Sequence, residues 1–374
     1  MILKTDCRYF PGDHPCIYNK SQGIMCNHCD YYNPIGFKIL IIKLDATGDV
    51  LRTTSILHAV KDKYPASHIT WLTKMVSKDI FRNNSFVDNV IFIEDPELNS
   101  RLLIETFDLL LHPDTSPKSA ALAAAANSKI KKGFILNELG KVVPVDENGI
   151  DWIEMGAFDQ LKKTNTKSYQ QIIHEVLDLK YNKGEIIINL DVKESEFKDN
   201  FRINNNLDKY NYLIGINTGA SPRWRFKQWR ADGFMELISV LNKRKNTAVL
   251  LYGGKEEEER NLELKSKFAN VMDTGSNNTL REFFALVDLC DIMITGDTMA
   301  LHAATALNKK VVCLFGPTSY NEIEDYGRIK KVIPDMECLV CYKQDCDFVP
   351  NCMDMITTEM IITKIDECIN EINK

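Results

Sequence analysis

Apolar and polar positions along this chain fall into two long blocks, each switching between short continuous apolar runs and stretches with helical spacing. Residues 1–34 stand apart, because Gly, Pro, Asn, Tyr and Cys dominate there and no apolar period of 2 or 3.6 residues is sustained. At Phe37 the character changes. Lys38 to Leu44 reads as a strand buried on both faces, Leu51 to Tyr64 as a helix closed by Pro65, and Ser67 to Leu72 as the next strand. Val87 to Ile93, Phe107 to Leu111 and Lys132 to Ile135 continue the strands, with an Ala-rich helix at Ser119 to Asn127 and helical spacing from Ser168 to Leu179. Asn189 to Lys209 is polar and weakly periodic and reads as a linker. The second block repeats the pattern, with strands at Tyr212 to Asn217, Thr247 to Tyr252, Asp291 to Thr295 and Lys310 to Phe315, and a helix at Ala231 to Arg244.

The expected fold is therefore α/β, with two Rossmann-like doubly wound domains facing a cleft at the carboxyl ends of their strands. The expected divisions are a Cys-rich segment at 1–34, an N-terminal domain at 35–200, a C-terminal domain at 201–355 and a closing helix at 356–374 laid back across the first domain. The length of 374 residues suits two such domains, and 44% hydrophobic with 26% charged residues excludes a disordered chain. A net charge of -6 argues against a nucleic-acid binder. No run is long enough to span a bilayer and the first ten residues lack a secretory core, which points to the cytoplasm, with at most peripheral contact at the inner face of the membrane.

Eleven cysteines change the picture, because a reducing compartment disfavours disulfides. Cys338, Cys341, Cys346 and Cys352 form a compact finger at 338–352. Cys7, Cys16, Cys26 and Cys29 form a looser group. Each set suits a structural zinc or iron ion, whose binding energy would order a segment that has no core.

Three strand-to-helix turns carry candidate chemistry. "KLDATGDVLRTT" (43–54) places Asp49 at a helix start, as a cap or as a general base. "NTGASPRWRFKQW" (217–229) follows Thr218 and Gly219 with Arg223, Arg225 and Lys227, and Arg230 comes next, an arrangement suited to a diphosphate. "GDTMALHAATAL" (296–307) offers Asp297, Thr298, Met299 and His302 at another helix start, where free N–H groups can bind phosphate. Gly253 and the Glu256 to Glu259 run read as a turn and a helix face or as a nucleoside contact, and Asp114 sits at a further strand end.

Together the segments 43–54, 217–229, 252–260 and 296–307, in that order along the chain, resemble the bacterial ADP-heptose heptosyltransferases of glycosyltransferase family nine, over roughly Ile39 to Asp354. The resemblance implies a GT-B fold, a glycosyltransferase (EC 2.4-type) and inverting transfer of heptose from ADP-heptose to a lipopolysaccharide core, without a catalytic metal. It assigns Asp49 as catalytic aspartate and Lys227 as the phosphate-binding lysine. It also assigns Asp297, Thr298 and His302 to the donor turn, and Glu256 or Glu257 to ADP. Met299 departs from the Gly usual there. The cysteine finger and Asp114 are more similar to the branch that heptosylates autotransporter proteins, where a four-Cys finger holds iron and supports assembly, so Asp49 and Asp114 compete for the base. The acceptor is left open among glycan, lipid-linked sugar and protein, and a homo-oligomer is allowed. The rival readings are a nucleotide-sugar epimerase of GT-B fold and a non-catalytic, metal-stabilised scaffold.

Overall fold

The computed structural model describes residues 2–220 and 222–374, with the side chains of Pro222 and Arg223 left aside. It contains two six-stranded sheets. The first is built from β1 (Lys38–Ile42), β2 (His68–Thr73), β3 (Asn89–Phe92), β4 (Phe107–His112), β5 (Ser128–Leu136) and β6 (Val142–Pro144), in the order β3-β2-β1-β4-β5-β6. Only β6 runs antiparallel, against β5. The second is built from β7 (Tyr212–Asn217), β8 (Thr247–Tyr252), β9 (Val271–Asp273), β10 (Ile292–Gly296), β11 (Lys310–Leu314) and β12 (Ile329–Val332), in the order β12-β11-β10-β7-β8-β9. Numbered within their own halves, the two orders are the same. The strand order reverses between β1 and β4 in one sheet and between β7 and β10 in the other, and ligands bind at such points.

The continuous apolar runs follow from burial on both faces. Along β1, Ile39 and Ile41 enter one core cluster while Leu40 and Ile42 enter another on the opposite face. In the second sheet Val249 and Leu251 part in the same way from Ala248, Leu250 and Tyr252. The largest cluster runs on from the first sheet through Ile186, Ile187 and Ile188 to Leu286, Met293 and Leu301 of the second half, so the domains share apolar packing.

Three expectations change. The helix read from Leu51 to Tyr64 is two, Thr47–Thr53 and Ile56–Lys63. Thr53, Thr54 and Ser55 turn their hydroxyls back onto the carbonyls of Asp49, Leu51 and Arg52, competing with the helical ladder. The supposed linker contains a helix, Val192–Asn204, capped by Asp191 and pinned by a buried Glu194–Arg281 pair at 2.9 Å. The closing helix, Thr358–Ile372, packs on the second sheet rather than across the first domain. Its Ile361, Ile365 and Cys368 join Trp229 and Ile214 in one cluster, and Trp229 donates to the Ile356 carbonyl at 3.0 Å.

Candidate active site

β1 and β4 are hydrogen-bonded neighbours, so the residues just beyond their carboxyl ends meet. Lys43 is buried there and pairs with Asp114, which also accepts the Leu44 N–H at 3.3 Å. Burial, the largest influence on Lys43, favours the neutral amine. Asp114, Tyr169 and Asp49 outweigh it and hold the ammonium well above its usual range. Asp114 is therefore committed as a counter-charge inside the fold.

Asp49 lies in the first turn of Thr47–Thr53, accepts the Ala46 N–H at 3.3 Å and pairs with Arg52 at 2.7 Å. The Arg52 guanidinium lies 3.6 Å from the centre of the Tyr169 ring. Burial is again the largest influence and opposes ionisation, but Arg52, Lys43 and His302 prevail and hold the Asp49 carboxyl below its ordinary value. It is a carboxylate at neutral pH.

In the second half, Asn217 at the end of β7 places its amide nitrogen 3.2 and 3.3 Å from the hydroxyls of Thr295 and Thr298, tying two turns together. The Thr218 hydroxyl points inward, donating to Asn261 at 2.6 Å, so Thr218 shapes the loop with its side chain already engaged. A Cβ at Gly219 would lie 2.5 Å from the Glu257 carboxyl carbon, and one at Gly253 2.5 Å from the Glu257 Cβ. Glu257 is buried under this loop and accepts the Gly254 N–H at 2.8 Å, whereas Glu256 is exposed. Geometry thus singles out Glu257 within the acidic run.

Lys227 pairs with Asp297 at 2.8 Å, and Thr318 donates to the same carboxylate oxygen at 3.1 Å. Burial works against ionised Asp297, but Lys227, His302 and Arg52 together hold it far below the usual carboxylate range. Thr298 caps the helix Met299–Ala306 by accepting the Ala300 N–H at 3.3 Å. His302, buried on the next turn, is lowered to about 4, first by burial and then by Arg52, and is neutral.

The two halves touch at Gly48. A Cβ there would come within 3.3 Å of the His302 ring and 3.6 Å of the Met299 Cα, so the helix starts bearing Asp49 and Met299 abut across the cleft. Arg225 turns away and forms an exposed ion pair with Asp345 at 2.8 Å. Ser221 and the Arg223 side chain lie outside the described residues.

Four participants escaped the sequence reading. Arg52 is within the first motif, and its spacing of three from Asp49 on a helix was the available signal. Tyr169 and Glu322 carry no local signal. They are joined by the Tyr169 N–H donating to the Glu322 carbonyl at 2.9 Å across the domains. Tyr342 donates to the Glu322 carboxylate at 2.9 Å, and burial raises Glu322 while Arg52 opposes.

The cysteine sets differ. Among the C-terminal four, Cys352 is buried against Gly316, and its thiol is pushed up to about 11 first by burial and then by Cys341, Cys338 and Cys346. Cys7, Cys16, Cys26 and Cys29 instead line the wall of a cavity of about 490 Å³. All eight are free thiols. Among the described residues no group of three or more His, Cys, Asp or Glu is arranged to hold a metal ion, so neither expected site is closed.

Paired Rossmann-like domains whose switch points meet, one offering a carboxylate and the other a lysine beside a helix start, form the GT-B arrangement. The profile of glycosyltransferase family 9 (heptosyltransferase) matches residues 97–350, and the chain belongs to that family. It is 25% identical over 329 residues to lipooligosaccharide heptosyltransferase 2 of Campylobacter jejuni, covering 85% of this chain and 95% of the relative. Its fold matches the ADP-heptose lipopolysaccharide heptosyltransferase II of E. coli with a TM-score of 0.65 at 17% identity, covering 90% of this chain and 100% of the other. It also matches the dodecameric, iron-containing heptosyltransferase TibC with a TM-score of 0.54 at 14% identity, covering 91% and 79%. No helix among the described residues is long and apolar enough to cross a membrane.

Proposed function

We propose that this glycosyltransferase moves a heptose from ADP-heptose to a hydroxyl of a lipopolysaccharide-type core saccharide, with inversion, on the cytoplasmic side. The observation that carries the reading is the meeting of the Asp49 helix with the Lys227–Asp297–His302 turn at Gly48. The named relatives supply the sugar and the acceptor class.

In this mechanism Asp49, ionised and still partly accessible, takes the acceptor proton as the hydroxyl attacks the anomeric carbon. The neighbouring Arg52 fixes the carboxylate's orientation while limiting its basicity. Asp114 has no such freedom, because Lys43 and the Leu44 N–H occupy it. Lys227 and the positive end of the Thr298-capped helix meet the charge that develops on the departing diphosphate. Asp297 holds the ammonium in place, neutral His302 adds no competing charge, and Glu257 with Gly219 and Gly253 forms the nucleoside wall.

The C-terminal thiols are assigned a structural iron or zinc ion. A four-thiolate set suits either metal, and the spacing of Cys338, Cys341, Cys346 and Cys352 along the chain supports it.

A panel of ADP- and UDP-sugars at about 100 times their dissociation constants tests the donor, since a bound donor adds about 2.7 kcal/mol of stability. ADP-heptose should shift the thermal transition, and a shift with a UDP-sugar alone would discard the heptose. Asp49→Ala should lower turnover by about 10² to 10⁴ with donor affinity little changed. A variant with near-normal turnover would take Asp49 out of the chemistry. Release of a converted nucleotide sugar without acceptor would point to an epimerase instead.

A further inference from the structure

The N-terminal segment has a site of its own that the transfer reaction does not use. Its ends are pinned together. The Arg8 N–H donates to the Asn33 carbonyl and the Ile35 N–H to the Asp6 carbonyl, both at 2.7 Å, and Cys7 bridges to Pro34. Arg8 then ties the closed loop to the first domain, through Asp88 at 2.7 Å and the carbonyls of Ala66 and Ser67. Beyond this clasp the loop has almost no interior, because Cys7 is the only buried residue among residues 2–34. A loop with so little apolar burial needs another source of order.

What the loop does enclose is a cavity of about 490 Å³ with all four of its cysteines on the wall. Cys16 stands at the start of the helix Ile17–Gln22, while Cys26 and Cys29 flank one tight helical turn. Cys7 closes the wall from the clasp. Tyr9, Tyr18 and Tyr31 pack together beside them, Tyr18 and Tyr31 stacked at 3.9 Å. A single tetrahedral ion would draw each sulfur to about 2.3 Å. These thiols instead stand on the wall of a half-open space much larger than one ion, and no three of them are grouped to hold one.

We propose that residues 7–29 bind a polynuclear iron–sulfur cluster of the four-iron, four-sulfide type, with Cys7, Cys16, Cys26 and Cys29 as its ligands. An inorganic core placed between the four thiolates fills the cavity, brings the walls to bonding distance and replaces the missing apolar interior. The stacked tyrosines form one wall beside it.

Acid-labile sulfide is the deciding measurement, since neither a zinc site nor a mononuclear iron site contains any. Full-length protein, purified anaerobically and reconstituted with ferric iron, sulfide and a thiol reductant, is assayed for iron, zinc and sulfide. Full-length Cys26→Ser/Cys29→Ser and Cys338→Ser/Cys341→Ser variants are assayed beside it. About four sulfides per chain are expected, lost in the first variant and retained in the second, with a visible absorption that bleaches on reduction. A parent protein without labile sulfide, whether it holds zinc or no metal, overturns the proposal even if a variant does not fold. Sulfide lost only with the C-terminal substitutions also overturns it. Heptose transfer is not read, so the outcome is independent of the assigned activity.

Discussion

The two four-cysteine segments are placed in opposite ways. The N-terminal one hangs from a clasp at residues 6–8 and 33–35, touches the body through Arg8 and encloses its own cavity. The C-terminal one is built into the second domain. Val340 and Tyr342 donate their N–H groups to the carbonyls of Gly316 and Pro317, and Cys352 packs on Gly316. Tyr342, directly after Cys341, donates to Glu322, accepts the Ser319 N–H at 3.2 Å and lies under Lys162 of the first domain at 4.3 Å. Asp345, directly before Cys346, holds Arg225. The same residue type therefore sits in two settings: one segment is clasped on itself, and the other packs against residues of the proposed reaction centre.

The largest expected effect tests that contrast directly. Cys338→Ser/Cys341→Ser should remove an ion whose binding is worth on the order of 10 to 16 kcal/mol, and loosening of Tyr342 and its partners should lower kcat by about 10²-fold. Cys26→Ser/Cys29→Ser should leave kcat within about twofold, since surface changes away from the site are small. Equal losses in both variants would erase the distinction.

Acid stability comes next, because the titrating groups cluster at the reaction centre. His302 binds its proton at about 4 in the fold and at 6.5 when unfolded. Between those values the unfolded chain holds the extra proton, so this residue makes stability rise with pH, by about 3 kcal/mol across the window. Raised Glu322 has the opposite sign above 4.5, since there the folded state keeps a proton that the unfolded chain has released. His302→Asn should flatten the rise in chemical-denaturation curves taken across this range. An unchanged slope would mean that His302 is not buried as a neutral ring.

Smaller effects separate contact from support. Tyr342→Phe deletes one hydrogen bond to a carboxylate, worth about 1.5 to 3 kcal/mol at most in stability, and should lower kcat severalfold while KM for the donor stays put. Arg8→Ala breaks a surface pair worth about 0 to 1 kcal/mol. It should speed proteolysis of residues 1–34 without altering turnover, and a fall in turnover would show that the segment is coupled to the site.

The sheets were legible because parallel strands buried on both faces leave unbroken apolar runs, as at Lys38–Ile42 and Thr247–Tyr252. The short edge strands β6, β9 and β12 were missed, being only three or four residues long. The break at Thr54 was hidden because Thr and Ser are tolerated in helices, and only their back-bonding hydroxyls disclose it. The carboxylate and lysine of the site lie in contiguous motifs. Tyr169, Glu322 and Tyr342 act through partners 20 or more residues away, and no local pattern encodes such pairing. The choice between Glu256 and Glu257 needed the helix phase, which the uniform acidic run conceals.

The absence of a side chain at Gly48 has a kinetic consequence. The proposed proton acceptor rides on one sheet and the proposed leaving-group cradle on the other, and Gly48 lets their two helix starts abut. Bond-making competence is then a function of the angle between two bodies, so solvent viscosity should slow turnover when closure limits it. A bulkier residue at position 48 would act as a wedge, lengthening the wait for a productive geometry while leaving every reacting group intact.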